Sequence, residues 1–273
     1  MNKINGKTKL IGFFGSTYKS SKMYKLYNTA FEALDLNYCY VPCAVDDLEK
    51  AFSGVLHLGF RAIGVSFPYK ESIIPYLDEL EPEAAAIGAV NVVTHQNGKL
   101  IGGMTDGLGA VCALEEVVKI DGSTVVVLGA GGAAKAIAYE LSKHHCSLKI
   151  LNRTIEKARD FAQKIDAQSN GYDILPQVVQ HADILINATS VGMYQDAGAC
   201  LVDESLMSSK ITVMDIIGKP HETELLKRAK RAGSKVIYAD RMLLHQAIVK
   251  FKYYTGVDAP IAVMEKVMQD MRE

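Results

Sequence analysis

The segment Val125-Val126-Val127-Leu128-Gly129-Ala130-Gly131-Gly132-Ala133-Ala134 constrains this chain more than any other. Its β-branched and apolar start is what a strand buried on both faces requires. The glycine turn lets the backbone approach a pyrophosphate, because no side chain stands in the way. The alanine-rich helix behind it offers free N–H groups and a positive dipole end to that charge. Such turns also serve plain packing, but strand, turn and helix in this order fit a dinucleotide fingerprint with alanine in its last position. Gly129, Ala130, Gly131, Gly132 and Ala133 are therefore candidate cofactor contacts.

The next strand narrows the cofactor. An NAD-preferring site places a carboxylate at its end to hold the ribose 2′-hydroxyl. Here the strand ends Leu151-Asn152-Arg153-Thr154, with Lys157 one turn on and no carboxylate. A guanidinium forks onto a 2′-phosphate and an ammonium adds charge. NADP is the expected cofactor, held by Asn152, Arg153, Thr154 and Lys157; the alternative is a solvated helix start.

Strand-like and helical patterns alternate along the chain, as α/β folds with crossover helices require. Strands are expected at Leu10–Phe14, Tyr38–Pro42, Ala62–Val65, Val125–Leu128, Leu148–Leu151, Asp183–Asn187, Thr212–Asp215 and Lys235–Ile237. Helices are expected at Lys22–Leu34, Val45–Leu58, near Tyr69–Leu80, Leu108–Lys119, Ala133–Lys143 and Thr154–Ile165, with Thr154 as N-cap. Further helices follow at His221–Ala232, Leu243–Tyr254 and Ile261–Met271. Asn91–His95 and Lys99–Ile101 read as a hairpin, because Asn97-Gly98 supplies the positive φ angles of a tight turn.

At 273 residues, two domains are the natural expectation. A net charge of −1 and the lack of a basic tract give no reason to expect nucleic acid or an anionic membrane as partner. The five cysteines form no CxxC pair, so no metal site is expected and reduced thiols of a cytoplasmic protein are the simplest account. The apolar stretch at Leu10–Phe14 is too short for a signal-peptide core.

Several strings, in order along the chain, carry a family resemblance. They are Ser66-Phe67-Pro68-Tyr69-Lys70-Glu71, Gly88-Ala89-Val90-Asn91, Thr105-Asp106-Gly107-Leu108-Gly109 and the glycine turn itself. Asn152-Arg153-Thr154, Asn187-Ala188-Thr189-Ser190-Val191-Gly192-Met193 and Met242-Leu243-Leu244-His245-Gln246-Ala247 complete the set. Together they resemble the shikimate dehydrogenase family over nearly the whole chain. The resemblance implies an N-terminal α/β substrate domain over 1–106, a Rossmann NADP-binding domain over 107–238, and C-terminal helices over 239–273 that return to the first domain. It implies a monomer or homodimer whose substrate is a small cyclic hydroxy or keto carboxylate. The reaction would be reversible hydride transfer between NADPH and 3-dehydroshikimate, giving shikimate.

The resemblance also assigns roles. Lys70 and Asp106 match the family's acid–base pair: the Lys70 ammonium would protonate the developing alkoxide, and Asp106 would hold and stabilise it. Read by themselves, Lys70 follows a Pro-Tyr turn and Asp106 could be an ordinary N-cap. Ser21, Ser66, Asn91 and Gln246 match substrate-binding positions, and Thr189, Ser190 and Met193 match cofactor-binding ones. Arg241 either reaches substrate or cofactor or faces solvent, and His245 is read as a surface or packing histidine.

Departures from the family pattern lie mostly in the substrate shell. Met23 replaces a serine and Tyr24 a proline, Gly64 and Met104 replace asparagines, and Gly218 replaces a tyrosine. A methionine in place of a serine removes a hydroxyl donor and adds apolar volume. The departures leave open the same chemistry on quinate, an amino-shikimate or another cyclic hydroxy acid. A non-enzymatic NADP-binding regulator is the remaining alternative, against which retention of Lys70 and Asp106 argues.

Overall fold

The computed structural model describes residues 4–15, 23–66 and 68–271. The chain divides into two compact units, one formed by Met1–Thr105 with Gln246–Glu273, the other by Asp106–His245.

The first unit is built on a mixed sheet. Its strands are β1 (Lys9–Gly15), β2 (Tyr38–Ala44), β3 (Ala62–Val65), β4 (Glu79–Leu80), β5 (Val92–Gln96) and β6 (Lys99–Gly103), in the order β2-β1-β3-β5-β6-β4. β1 pairs parallel with β2 and β3, whereas β5 runs antiparallel to both β3 and β6. The β5–β6 hairpin turns at Asn97 and Gly98, whose φ angles of 51° and 80° are the positive values expected. Helices α1 (Met23–Ala33), α2 (Leu48–His57) and α3 (Pro82–Ile87) connect the strands. Asp47 caps α2 by accepting from Lys50 N at 3.1 Å.

The helix expected near Tyr69–Leu80 does not form. Turns, a single 3-10 turn at Ile74–Tyr76 and β4 occupy that stretch. Pro75 has no N–H to donate and blocks a helix running through its position, so only the short turn Ile74–Tyr76 forms, with Pro75 in its first turn.

The second unit holds an all-parallel sheet. Its strands are β7 (Thr124–Leu128), β8 (Ser147–Leu151), β9 (Gln168–Asn170), β10 (Ile184–Asn187), β11 (Thr212–Asp215) and β12 (Lys235–Ile237), in the order β12-β11-β10-β7-β8-β9. Counted from β7 this is 6-5-4-1-2-3, the doubly wound dinucleotide-binding order, with its switch point between β7 and β10. Helices α4 (Asp106–Glu115), α5 (Gly132–Leu141), α6 (Ile155–Ala162), α7 (Leu175–Val179) and α8 (Glu224–Arg231) belong to this unit. Val126, Leu128, Leu185, Val213 and Leu226 lie in its core on one side of the sheet. Strand β9 and helix α7 were not expected from the sequence; both are too short for a periodic signal.

Helix α9 (Ala239–Thr255) contains the junction between the units, and α10 (Ile261–Asp270) packs on α1 in the first unit. Phe251 and Tyr254 of α9 are fully buried there, against Phe31 and Tyr27.

Candidate active site

The first unit gathers its polar candidates at the end of β3. Val65 N donates to Asn91 O at 2.9 Å, and Val90 N donates to Lys70 O at 2.8 Å. The Ser66–Lys70 turn is closed by Tyr69 N donating to Ser66 O at 2.9 Å, and the Tyr69 hydroxyl donates to Val45 O. Ser66, Lys70 and Asn91 are thereby fastened to one another through the main chain. Asn91 is fully buried, and its Oδ1 accepts from Thr105 N at 3.0 Å and Thr105 Oγ1 at 3.2 Å. This fixes the residue immediately before Asp106. Gln246 lies half-buried on the part of α9 that belongs to this unit, and Ser21 lies outside the described residues.

In the same unit, the departure at Gly64 has a packing reason. A Cβ there would lie 2.8 Å from the Tyr254 hydroxyl and 3.0 Å from Phe13 Cδ2. Tyr27, Tyr40 and Tyr254 form a buried aromatic group around this point, with Tyr27 and Tyr40 stacked at 4.6 Å. Burial, with mutual repulsion among the hydroxyls, pushes the Tyr27 and Tyr40 phenols up, and burial pushes up that of Tyr254. The tyrosines therefore stay neutral and act as space-filling hydrogen-bonding groups.

In the second unit Asp106 opens α4 and is 1% exposed. The next residue explains its place: a Cβ at Gly107 would run into Ala136 O of α5. Only glycine allows α4 to approach α5 this closely, so Asp106 is held beside the helix that follows the glycine turn.

The cofactor candidates come together at the carboxyl ends of β7, β8 and β10. Gly129 has φ +112°, and a Cβ there would sit 2.8 Å from Ala188 O across the switch point. Gly131 is the N-cap of α5 with no side-chain cap, and nothing lies within 4 Å of where its Cβ would be. The helix N-terminus thus ends in an open, side-chain-free cradle with its amide donors uncapped, which fits a pyrophosphate. Asn152 Nδ2 donates to Thr154 O at 2.8 Å, ordering the β8–α6 turn, and Arg153 and Lys157 are exposed beside it. Thr154 takes the N-cap position of α6 without a side-chain cap bond. Thr189 and Met193 are half-buried and Ser190 is exposed on the segment leaving β10.

Arg241 is engaged within the second unit. Its Nε donates to Glu116 Oε2 at 2.9 Å, and a second nitrogen also pairs with that carboxylate. His245 Nε2 meets Glu116 Oε1 at 2.8 Å. These contacts fasten α9 to the end of α4. Burial raises the Glu116 pKa, but the bonds from Arg241 and His245 outweigh it and hold the carboxyl below its ordinary range. Among the described residues no cluster of His, Cys, Asp or Glu could hold a metal, and no helix is long and apolar enough to cross a membrane.

Strand order, glycine cradle and a switch point lined by polar loops define a Rossmann-type dinucleotide-binding protein with a separate α/β unit. Comparison with known proteins narrows the class. Residues 13–93 match the shikimate dehydrogenase substrate-binding domain and residues 112–224 match shikimate/quinate 5-dehydrogenase. The chain is 43% identical to a shikimate dehydrogenase (NADP(+)) of Pyrococcus furiosus over 97% of this chain and 96% of the relative. A crystal structure of a shikimate dehydrogenase in complex with NADP+ superposes with a TM-score of 0.91 at 39% identity, covering 98% and 97% of the two chains. The ligand-free 5-ketofructose reductase of Gluconobacter sp. strain CHM43 superposes at 0.87 with 30% identity, covering 98% and 100%. The chain belongs to the shikimate dehydrogenase family.

Proposed function

We propose that this protein is an NADP-dependent shikimate dehydrogenase, reversibly reducing 3-dehydroshikimate to shikimate. The observation that carries the reading is the bond from Val90 N, beside Asn91, to Lys70 O, together with the bonds from Thr105, the residue before Asp106, to Asn91 Oδ1. When bound, NADPH supplies the hydride that reaches the carbonyl carbon. The cradle at Gly129–Gly132 receives the pyrophosphate, and Arg153 and Lys157 recognise the 2′-phosphate. Lys70 gives its ammonium proton to the carbonyl oxygen as negative charge develops there, and takes one back in the reverse direction. We assign to Asp106 the role of partner to Lys70 in the acid–base pair. Ser21, Ser66, Asn91 and Gln246 supply polar contacts to the substrate. The free cysteines fit a reducing compartment, so the cytoplasm is the proposed location, as a monomer or homodimer.

Shikimate oxidation with NADP+, measured for the wild type and Lys70→Ala, tests this. Turnover is expected to collapse in the variant while NADPH still binds; undiminished turnover sinks the assignment.

A second reading keeps the chemistry and changes the substrate to another cyclic hydroxy acid. It is favoured by Gly64, where the Tyr254 hydroxyl leaves no room for the amide side chain that the resemblance leads one to expect. The ketofructose reductase carries this fold with a different named substrate. A panel of hydroxy acids assayed with NADP+ and NAD+ separates the two, and shikimate outperforming the rest ends the second.

A further inference from the structure

At the carboxyl ends of β10 and β11, Asn187 and Asp215 stand directly opposite in register. Both are buried. Its carboxylate accepts from Thr223 Oγ1 at 2.7 Å and from Ile217 N at 3.0 Å. It also accepts from Asn187 Nδ2, at 3.2 Å to each oxygen. The other end of the Asn187 amide faces the segment that leaves β10. Asn187 Oδ1 accepts from Thr189 N at 3.1 Å and Thr189 Oγ1 at 2.7 Å, and Val191 N donates to Thr189 Oγ1 at 3.1 Å. Asn187 Nδ2 also donates to Val191 O at 3.3 Å.

The polarity of this chain of bonds has one solution. Thr189 N only donates and Val191 O only accepts, so Asn187 turns its carbonyl oxygen to Thr189 and its NH2 toward Val191 O and the Asp215 carboxylate. Its carbonyl oxygen then faces Thr189, which offers two donors. The Thr189 segment begins at Ala188, whose carbonyl forms the wall of the glycine cradle beside Gly129. The carboxylate on β11 is therefore linked, through one amide, to a loop at the switch point, where doubly wound sheets bind their ligands.

We infer that Asp215 is a positioning residue for the dinucleotide, acting through Asn187 to hold Ala188–Val191 against the cofactor cradle. The inference rests on the NADP-binding reading above, but not on the identity of the substrate.

The test is NADPH binding by fluorescence titration, together with separate KM and kcat values for each substrate. Asp215→Asn is nearly isosteric, but its amide both donates and accepts. It weakens the hold on the Asn187 NH2 and so loosens the orientation in which Asn187 Oδ1 accepts from Thr189. The dissociation constant for NADPH is expected to rise about tenfold, and in shikimate oxidation the loss should fall in KM for NADP+ rather than in kcat, with the KM for shikimate unmoved. In a double-mutant cycle with Thr189→Val, Asp215→Asn should cost clearly less once the Thr189 hydroxyl is gone. Unchanged NADPH affinity, additive losses, or equal losses for both substrates would overturn the inference. If Asp215→Asn does not fold, Thr223→Val relaxes the same carboxylate from its far side. It is then expected to raise the NADPH constant about threefold, with recovery in Thr223→Ser and no change as the overturning result. A wild-type protein that binds no NADPH refutes the proposed function itself. One that binds NADPH without oxidising shikimate leaves this inference standing.

Discussion

Two glycines a residue apart in the cofactor turn are required for different reasons, and alanine substitutions should separate them. Gly129 has φ +112°, and a methyl group there would meet Ala188 O at 2.8 Å and Ala188 C at 3.1 Å. Holding an L-residue in that backbone region costs about 1–3 kcal/mol. Forcing a backbone carbonyl aside adds a similar overpacking cost of about 1–3 kcal/mol. A total near 3 kcal/mol corresponds to a fall in Tm of roughly 10 °C for a chain of this size. Gly131 has φ −78° and ψ 176°, ordinary extended backbone, with nothing within 4 Å of its missing Cβ. There alanine is a slightly worse N-cap, by about 0.5–1 kcal/mol, but it restricts the unfolded chain by a comparable amount. Gly131→Ala should therefore melt within about 2 °C of the wild type, since those two effects nearly cancel. Its methyl group stands where the pyrophosphate must approach, so its NADPH dissociation constant should rise at least about tenfold, which is about 1.4 kcal/mol. Thermal melts without cofactor, followed by NADPH titration of the folded variants, read both effects. Gly129→Ala melting with the wild type, or Gly131→Ala binding NADPH as tightly, would refute the reasoning.

Further perturbations follow from the same geometry. Arg153→Ala, on an exposed residue, should weaken NADPH binding by about tenfold and NADH little, since only a 2′-phosphate needs the fork; equal losses would remove its assigned role. Gly64→Ala should lower Tm by several degrees, an overpacking cost of about 1–3 kcal/mol, because its methyl meets the Tyr254 hydroxyl at 2.8 Å. Adding Tyr254→Phe should recover part of that loss, and strictly additive destabilisation would contradict the contact. Glu116 has a folded pKa below its ordinary value of 4.5, where bonds from Arg241 and His245 outweigh burial. Its contribution is thus complete above the ordinary value and is lost as pH falls through the depressed one. Glu116→Gln should accordingly shrink the difference between Tm at about pH 6 and at about pH 3.5, and an unchanged difference would show that the cluster contributes nothing.

What the residues announced in advance was whatever depends on neighbours in sequence. Val125–Leu128 could only be a doubly buried strand, and Asn97-Gly98 could only turn tightly. The stretch after Tyr69 has apolar spacing that suits a helix, but Pro75 limits it to the single turn Ile74–Tyr76. The segments Gln168–Asn170 and Leu175–Val179 are too short to display a period. Contacts between distant positions were beyond reach. Nothing near Gly64 in sequence indicates that Tyr254 fills its space. Nothing near Thr189 indicates that its loop is governed from Asp215 on another strand. Nothing near Arg241 in sequence indicates that it pairs with Glu116, 125 residues earlier.

The division of the chain into units also bears on the order of its synthesis. The unit Asp106–His245 is one uninterrupted stretch, so all of its strands have been synthesised before residue 246. The other unit is split, and its aromatic interior lacks Phe251 and Tyr254 until the final helices follow. Tyr27, Phe31 and Tyr40 are left without those lids throughout the making of the middle segment. On the ribosome the part made first is thus the part finished last, and its uncovered rings are the surface a chaperone would meet.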